Sequence, residues 1–313
     1  MAFDLLILGA ASATPTSQQY TTSQLLTMRE QLFLIDCCEG AQQQLRRHKV
    51  KTSRINHIFI SHMHGDHYFG LIGLISSYHL QRRSKPLNIY GPESLQKVIE
   101  TQLKASKTRL EYELIFHATN PNRTELIAET KKVLVYSIPL IHGIATTGFK
   151  FVEKVSDRRL NMTAITTHGV PPLERKAIQR GMDWENEDGE RVANDLLTLP
   201  PDRPLSYAFW SDTAFNPSKV EDIKNVDLLY HEATFTRAER DLAEQTKHST
   251  AEDAGKIARA AEVRTLLLGH YSSRYANPDV HLAESQNHFQ NVIAGRDNMR
   301  VSVDLNTIEF VQE

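Results

Sequence analysis

The sequence predicts an α/β fold, and three observations carry that expectation. Short apolar or β-branched runs alternate with stretches that suit helices. Polar, metal-ligating side chains stand directly after several of those runs, where strands would end. No internal repeat interrupts the alternation, and no apolar stretch approaches the ~20 residues of a membrane span.

Size and composition narrow the class. With 313 residues the chain can form one large domain with a buried core, or two small ones. Apolar residues make up 40% and charged residues 24%, the balance of a globular protein rather than a disordered or fibrous one. Formal net charge is −2, so any hold on nucleic acid must come from local basic patches. The two cysteines, Cys37 and Cys38, are adjacent and cannot form a disulfide framework, which implies a reducing compartment. The opening Met-Ala-Phe-Asp-Leu-Leu-Ile-Leu lacks a basic start and a long apolar run, and it suits a first strand better than a signal peptide. The expectation is a soluble, cytoplasmic protein with no membrane partner.

Each element follows in order. Phe3–Leu8 is a strand running into the small-residue loop 9–14. Gln24–Met28 and Gln31–Asp36, parted by Arg29 and Glu30, make a hairpin. Glu39–Lys49 suits a helix. Asn56–Ile60 is a β-branched strand that leads at once into Ser-His-Met-His-Gly-Asp-His, and Leu71–Arg82 suits a helix. Leu87–Tyr90 is a strand, and a helix begins near Pro92, a residue favoured in a first turn. Strands are expected near Tyr112–Phe116, Val133–Ile138 and Phe149–Val152. From Glu153 to Pro204 the apolar periodicity weakens, charges cluster, and Pro171, Pro172, Pro200 and Pro201 appear. This marks an inserted flexible arm, about 153–204, within a single domain spanning 1–313. Strands resume at Ser206–Trp210, Asp227–Tyr230 and Arg264–Leu268. Ala251–Ala261 is a helix for which Ser249 and Glu252 supply a capping box.

His62, His64, Asp66 and His67 place three imidazoles and a carboxylate within six residues, just after a strand. Neutral imidazole with carboxylate suits Zn²⁺. Three histidines this close would be costly in a core, since each brings a nitrogen that needs a partner. The chain holds only 14 histidines, so chance clustering is a poor alternative. Four ligands do not complete two tetrahedral sites. His142, Asp212 and His270 each follow a predicted strand and can supply the rest. Any one alone is as well explained by a structural hydrogen bond; the combination is what points to metal. A carboxylate can bridge two ions whereas an imidazole normally binds one, which makes Asp212 the natural bridge.

The sequence His-Met-His-Gly-Asp-His, taken with His142, Asp212 and His270, resembles the metallo-β-lactamase superfamily, which implies an αββα sandwich. Three segments narrow the resemblance. Leu-Leu-Tyr-His-Glu-Ala-Thr-Phe at 228–235 is similar to the "HEAT" segment of ribonuclease Z. His248-Ser249-Thr250 is similar to its "HST" segment. Asp36-Cys37-Cys38-Glu39-Gly40 is similar to its D-C-G-E-G segment, with Cys38 in place of the glycine. Matching motifs run from residue 5 to residue 275. The resemblance implies a zinc-dependent endoribonuclease that hydrolyses the phosphodiester at the 3′ end of precursor tRNA, removing the 3′ trailer and leaving a 3′-hydroxyl. It implies two Zn²⁺ per subunit: His62, His64 and His142 on one, Asp66, His67 and His270 on the other, and Asp212 between them. Asp66 would also act on the attacking water, and His248 would assist the leaving oxygen with Glu232 orienting it. A homodimer, in which one subunit's arm holds the tRNA cut by the other, is implied as well.

The chemistry agrees with these assignments. A phosphodiester is anionic, so ligands that are mostly neutral keep the metal pair positive enough to bind it. The ribose 3′ oxygen is a poor leaving group and gains from a proton donor, which suits His248 held by Glu232. Asp36 is expected behind the ligands, orienting a histidine. Between Lys150 and Asp183 seven Lys/Arg outnumber four Asp/Glu. Lys154, Arg158, Arg159, Arg175, Lys176 and Arg180 make this segment an RNA-binding arm that would grip a phosphate backbone by shape. The loop 9–20 carries no basic residue. The residues leave two other readings open: a phosphodiesterase of the same fold acting on small substrates, or a non-catalytic RNA-binding scaffold.

Overall fold

In a computed structural model that describes residues 2–312, Glu153–Pro204 forms one compact unit and the rest of the described chain another. The larger unit opens with β1 (Ala2–Gly9), β2 (Ser23–Met28), β3 (Gln31–Ile35), β4 (Ile55–Phe59), β5 (Leu87–Gly91) and β6 (Leu114–Ala118). Then come β7 (Glu125–Glu129), β8 (Val133–Pro139) and β9 (Thr147–Glu153). Four two-residue strands belong to the smaller unit: β10 (Arg159–Leu160), β11 (Trp184–Glu185), β12 (Arg191–Val192) and β13 (Thr198–Leu199). The larger unit resumes with β14 (Ser206–Trp210), β15 (Leu228–Glu232), β16 (Thr265–Gly269), β17 (Val292–Ala294), β18 (Met299–Asp304) and β19 (Ile308–Gln312).

Two large sheets result, ordered β19-β18-β1-β2-β3-β4-β5-β6 and β17-β16-β15-β14-β9-β8-β7. Alternation along β1 shows how they are layered. Phe3, Leu5 and Ile7 point one way and Leu6 and Leu8 the other, the two-residue period of a strand. The first set joins Phe33, Phe59, Phe149, Phe151, Tyr207 and Tyr230 in a core that both sheets share. The second set meets Leu71, Leu74, Leu95 and Ile99 from the helices Leu71–Leu80 and Ser94–Ala105, outside the first sheet. Outside the second sheet, Ala251, Ala254 and Ile257 of the helix Ala251–Ala260 pack on Trp210, Leu229 and Leu268. Helix, sheet, sheet, helix is the αββα sandwich. Parallel strands covered on both faces read as unbroken apolar runs, which is why β15 and β16 show so little alternation.

Predicted boundaries shift by no more than two residues where an element was expected. The hairpin between β2 and β3 turns through Arg29 and Glu30 with φ of 51° and 65°, the backbone of a tight two-residue turn. One cap is corrected. Thr250, not Ser249, caps the helix Ala251–Ala260: its hydroxyl accepts from Asp253 N at 3.2 Å, and the Asp253 carboxylate accepts from Thr250 N at 3.1 Å. Ser249 is drawn away because its hydroxyl donates to Thr213 O at 2.6 Å.

The smaller unit has its own apolar centre of Ile165, Val170, Ile178, Val192 and Leu197. Among its basic residues, Arg158 pairs with Asp195 at 2.6 Å, Arg159 with Asp202 at 3.0 Å, and Lys176 with Asp157 at 2.5 Å. Arg180 acts on Asp157 by its charge, and Arg175 donates to Val170 O at 3.4 Å. Lys154 lies at the unit's entry, next to β9.

Candidate metal centre

The chain leaves β4, β8, β14 and β16 toward one cavity of about 540 Å³, lined by His64, Asp66, His142, Asp212, His248 and His270 among others. Local backbone explains the aim of the side chains. Asp212 and His270 leave their strands with φ of 45° and 59°, and Asp36 leaves β3 with φ of 54°. Asp and His tolerate this left-handed region better than most residues. It swings the side chain away from the strand line, and residues held there cluster at functional sites. Asp66 and His67 lie in the first turn of the short helix Gly65–Tyr68. Gly70, at the start of the next helix, must be glycine, because a Cβ there would lie 2.0 Å from Cys38 O. The close approach lets Cys37 bond His67 O through its N–H at 2.7 Å, tying the 36–40 segment to the histidine loop.

Asp212 divides the donors into two groups. Its Oδ2 lies 3.7 Å from His62 Nε2 and 3.9 Å from His142 Nε2. Its Oδ1 lies 3.2 Å from both His67 Nε2 and His270 Nε2. His64 Nδ1 completes the first group at 2.9 Å from His62 Nε2 and 3.2 Å from His142 Nε2. Asp66 Oδ2 completes the second at 3.3 Å from His67 Nε2 and 3.9 Å from His270 Nε2. Ligands about 2.0–2.1 Å from a tetrahedral Zn²⁺ stand about 3.3 Å apart, the spacing these donors have. His67 Nε2 and His270 Nε2 are buried without a hydrogen bond, as befits atoms aimed at an ion. The residues fit divalent metal. His248 also comes within reach of Asp212 and His270, but its Nδ1 is engaged by Glu232 at 2.8 Å.

The far sides of the rings are held too. His67 Nδ1 bonds Asp36 Oδ2 at 2.6 Å, and Asp36 also accepts from Ser61 N at 2.8 Å and Ser61 Oγ at 2.9 Å. His62 Nδ1 meets Ser61 Oγ at 3.0 Å, His142 Nδ1 meets Lys247 O at 3.0 Å, and His270 Nδ1 meets Thr234 Oγ1 at 2.8 Å. Such partners leave Nε2 with its lone pair turned to the metal side. Asp66 Oδ2 accepts from Ala13 N at 2.9 Å, which brings the loop after β1 to the rim. Sequence reasoning missed Ser61, Thr234 and the Ala13 amide. The only signal was a hydroxyl beside each of two motifs.

Charge follows geometry. Burial pushes the Asp212 carboxyl up, but His270, His67 and His62 more than reverse this and hold it well below the ordinary range. Burial and then His67 pull His62 well down, whereas at His67 burial is outweighed by Asp212, Asp36 and Asp66, which hold that imidazole well up. Anionic carboxylate and neutral imidazole are the forms that ligate. Glu232 is fully buried and accepts from Thr213 N at 2.6 Å, Thr234 Oγ1 at 2.5 Å and His248 Nδ1. Burial draws His248 down, but Glu232 by its charge and hydrogen bond outweighs it, and the imidazole is pushed up to about 9.

Two donor groups sharing one aspartate, at the strand ends of an αββα sandwich, define a metal-dependent hydrolase of the metallo-β-lactamase fold. Residues 3–167 match the family described as anti-Pycsar protein Apyc1; Asp212, Glu232, His248 and His270 lie beyond that match. Ribonuclease Z of Bacteroides fragilis is 43% identical over 301 residues, covering 96% of this chain and 99% of its own. Ribonuclease Z of Porphyromonas gingivalis is 43% identical over 302 residues, with the same coverage. Human tRNase Z, short form, superposes with a TM-score of 0.71 at 24% identity, over 96% of this chain and 100% of its own. The chain belongs to the ribonuclease Z family, and by residues 3–167 to the Apyc1 family, and it is a metal-dependent endonuclease. Among the described residues no helix is long and apolar enough to cross a membrane.

Proposed function

We propose that this endonuclease hydrolyses the phosphodiester at the 3′ end of precursor tRNA, removes the 3′ trailer, and leaves a tRNA 3′-hydroxyl. The observation that carries the reading is Asp212, with one oxygen turned to His62 and His142 and the other to His67 and His270. In this reading His62, His64 and His142 would hold one Zn²⁺ and Asp66, His67 and His270 the other, with Asp212 available to both. Bound there, the two ions supply acidification of water and offset of phosphoryl charge. Asp212 keeps the two groups in register. Asp66, whose Oδ2 accepts from the Ala13 amide, would act on the attacking water. His248, held at Nδ1 by Glu232, gives the Nε2 proton to the departing ribose oxygen. Asp36 orients His67 directly and His62 through Ser61.

Substrate docking falls to the segment 153–204. Lys154, Arg158, Arg159, Arg175, Lys176 and Arg180 contact the tRNA backbone, and for Arg158, Arg159 and Lys176 exchange of the acidic partner for phosphate is the expected event on binding. The protein acts in the cytoplasm as a homodimer, each arm serving the partner's metal site. The names of the relatives and the donor geometry support this reading. The test is end-mapping after incubation with a trailer-bearing pre-tRNA. A single cut giving a 3′-hydroxyl on the tRNA and a 5′-phosphate on the trailer is expected. Hydrolysis of bis-p-nitrophenyl phosphate without any cut in pre-tRNA would overturn it in favour of a small-substrate phosphodiesterase.

A further inference from the structure

Glu232 and His270 are tied together by one atom. Thr234 Oγ1 lies 2.5 Å from Glu232 Oε2 and 2.8 Å from His270 Nδ1, and Thr234 is only 3% exposed. A hydroxyl has a single hydrogen, so its two bonds constrain each other. An ionised carboxylate can only accept, so the Thr234 hydrogen points to Glu232 Oε2. Oγ1 then offers His270 nothing but lone pairs, and Nδ1 must carry that ring's hydrogen. Nε2 is left as a bare lone pair 3.2 Å from Asp212 Oδ1, the form in which an imidazole ligates. The other oxygen of Glu232 accepts from His248 Nδ1 at 2.8 Å and Thr213 N at 2.6 Å. One chain therefore runs His270–Thr234–Glu232–His248 with every hydrogen assigned.

The opposite side of the centre repeats the device. Ser61 Oγ lies 2.9 Å from Asp36 Oδ2 and 3.0 Å from His62 Nδ1, while the same Asp36 oxygen takes His67 Nδ1 at 2.6 Å. Each side holds one carboxylate, one hydroxyl and two imidazoles. In the Asp36 half both imidazoles belong to the donor groups. In the Glu232 half one of them, His248, has its Nδ1 on the carboxylate and stands over the cavity instead.

We propose that Thr234 is a positioning residue that couples the ligating face of His270 to the orientation of His248. Its hydroxyl fixes the His270 tautomer and completes the ring of donors around Glu232 that holds His248 in place. The inference rests on the reading that His270 ligates metal and His248 donates a proton.

The test uses the full, zinc-loaded chain. Thr234→Val removes the hydroxyl at nearly constant shape, and Thr234→Ser keeps the hydroxyl while removing the methyl. Metal affinity is read by chelator competition, kcat and KM on pre-tRNA, and imidazole N–H signals by proton NMR. The valine variant is expected to bind one of two ions about 10–100-fold more weakly. It should lose kcat rather than KM, and lose one exchange-protected downfield imidazole signal. The serine variant should recover all three. If valine disturbs folding, Thr234→Ala compared with Thr234→Ser isolates the hydroxyl. Wild-type metal affinity and kcat in the valine variant would overturn the inference. So would a serine variant as impaired as valine, since the methyl packing would then be the cause. A wild-type chain that binds no metal overturns the proposed function itself, and this coupling with it.

Discussion

Replacing Glu232 by glutamine removes a charge and keeps the shape. Its neighbours Thr213 N, Thr234 Oγ1 and His248 Nδ1 all donate to it. Glutamine offers one acceptor oxygen and an amide that is itself a donor, so at least one neighbour meets the wrong partner. His248 also loses what offsets its burial, and its value of about 9 falls to the ordinary ~6.5 or lower. His248 donates only when protonated, so activity declines as pH rises through its pKa. The alkaline limb of the glutamine variant therefore moves down by about 2.5 pH units, or about 3 kcal/mol at ~1.36 kcal/mol per unit. The side chain is 15% exposed, so solvent screening removes only part of this. The displacement between the two profiles is the quantity to read. The assay is kcat/KM on pre-tRNA for both zinc-loaded proteins from about pH 6 to 10, with a loss of about 30-fold expected near pH 8 from the fall in protonated His248. Bis-p-nitrophenyl phosphate is the control: p-nitrophenolate leaves without a proton, so the loss there should be far smaller. Superimposable alkaline limbs, or equal losses on both substrates, would refute the reasoning.

The same ion pair sets a stability window. The folded value of His248 is raised, so its contribution is full below about 6.5 and is lost as pH rises through about 9, visible as a falling Tm that Glu232→Gln abolishes. Asp36→Asn should weaken metal binding by about 10–100-fold in chelator competition, because His67 loses its anionic partner at 2.6 Å and Ser61 keeps only one. Replacing 154–200 by a short Gly/Ser linker should leave metal content and bis-p-nitrophenyl phosphate hydrolysis intact and abolish pre-tRNA cleavage. The ends can be joined because Val152 and Ser206 are antiparallel partners. Equal loss of both activities would count against an RNA-docking role for that segment.

Much of this architecture is legible in the sequence because the donors stand where strands end. His62 follows β4, Asp212 follows β14 and His270 follows β16, each after an apolar run that needs no tertiary knowledge to find. Convergence of the four ends is a property of the two-sheet sandwich, and no local pattern contains it. The same holds for the supporting shell. Ser61 and Thr234 matter through bonds to Asp36 and Glu232, and whether a hydroxyl reaches a ring nitrogen depends on the positive φ at Asp36 and His270. The capping error has a similar origin. Ser249–Glu252 and Thr250–Asp253 fit the motif equally well, and the Thr213 carbonyl, distant in sequence, decides between them. β7, β17, β18 and β19 were not anticipated, although Met299, Val301 and Val303 of β18 do alternate with Arg300, Ser302 and Asp304. The segment 153–204 stands out in the sequence by its composition, and Glu153–Pro204 forms a compact unit. Its ion pairs, Arg158 with Asp195 and Lys176 with Asp157, depend on a local fold that weak periodicity does not encode.

Metal content per chain tests the account most directly. Protein purified at neutral pH and loaded with zinc should carry two equivalents. Asp212→Ala should lose both together, with far-ultraviolet circular dichroism unchanged, because one carboxylate faces both donor groups. A wild-type chain holding one equivalent or none, or an Asp212→Ala variant that still binds two, would contradict it.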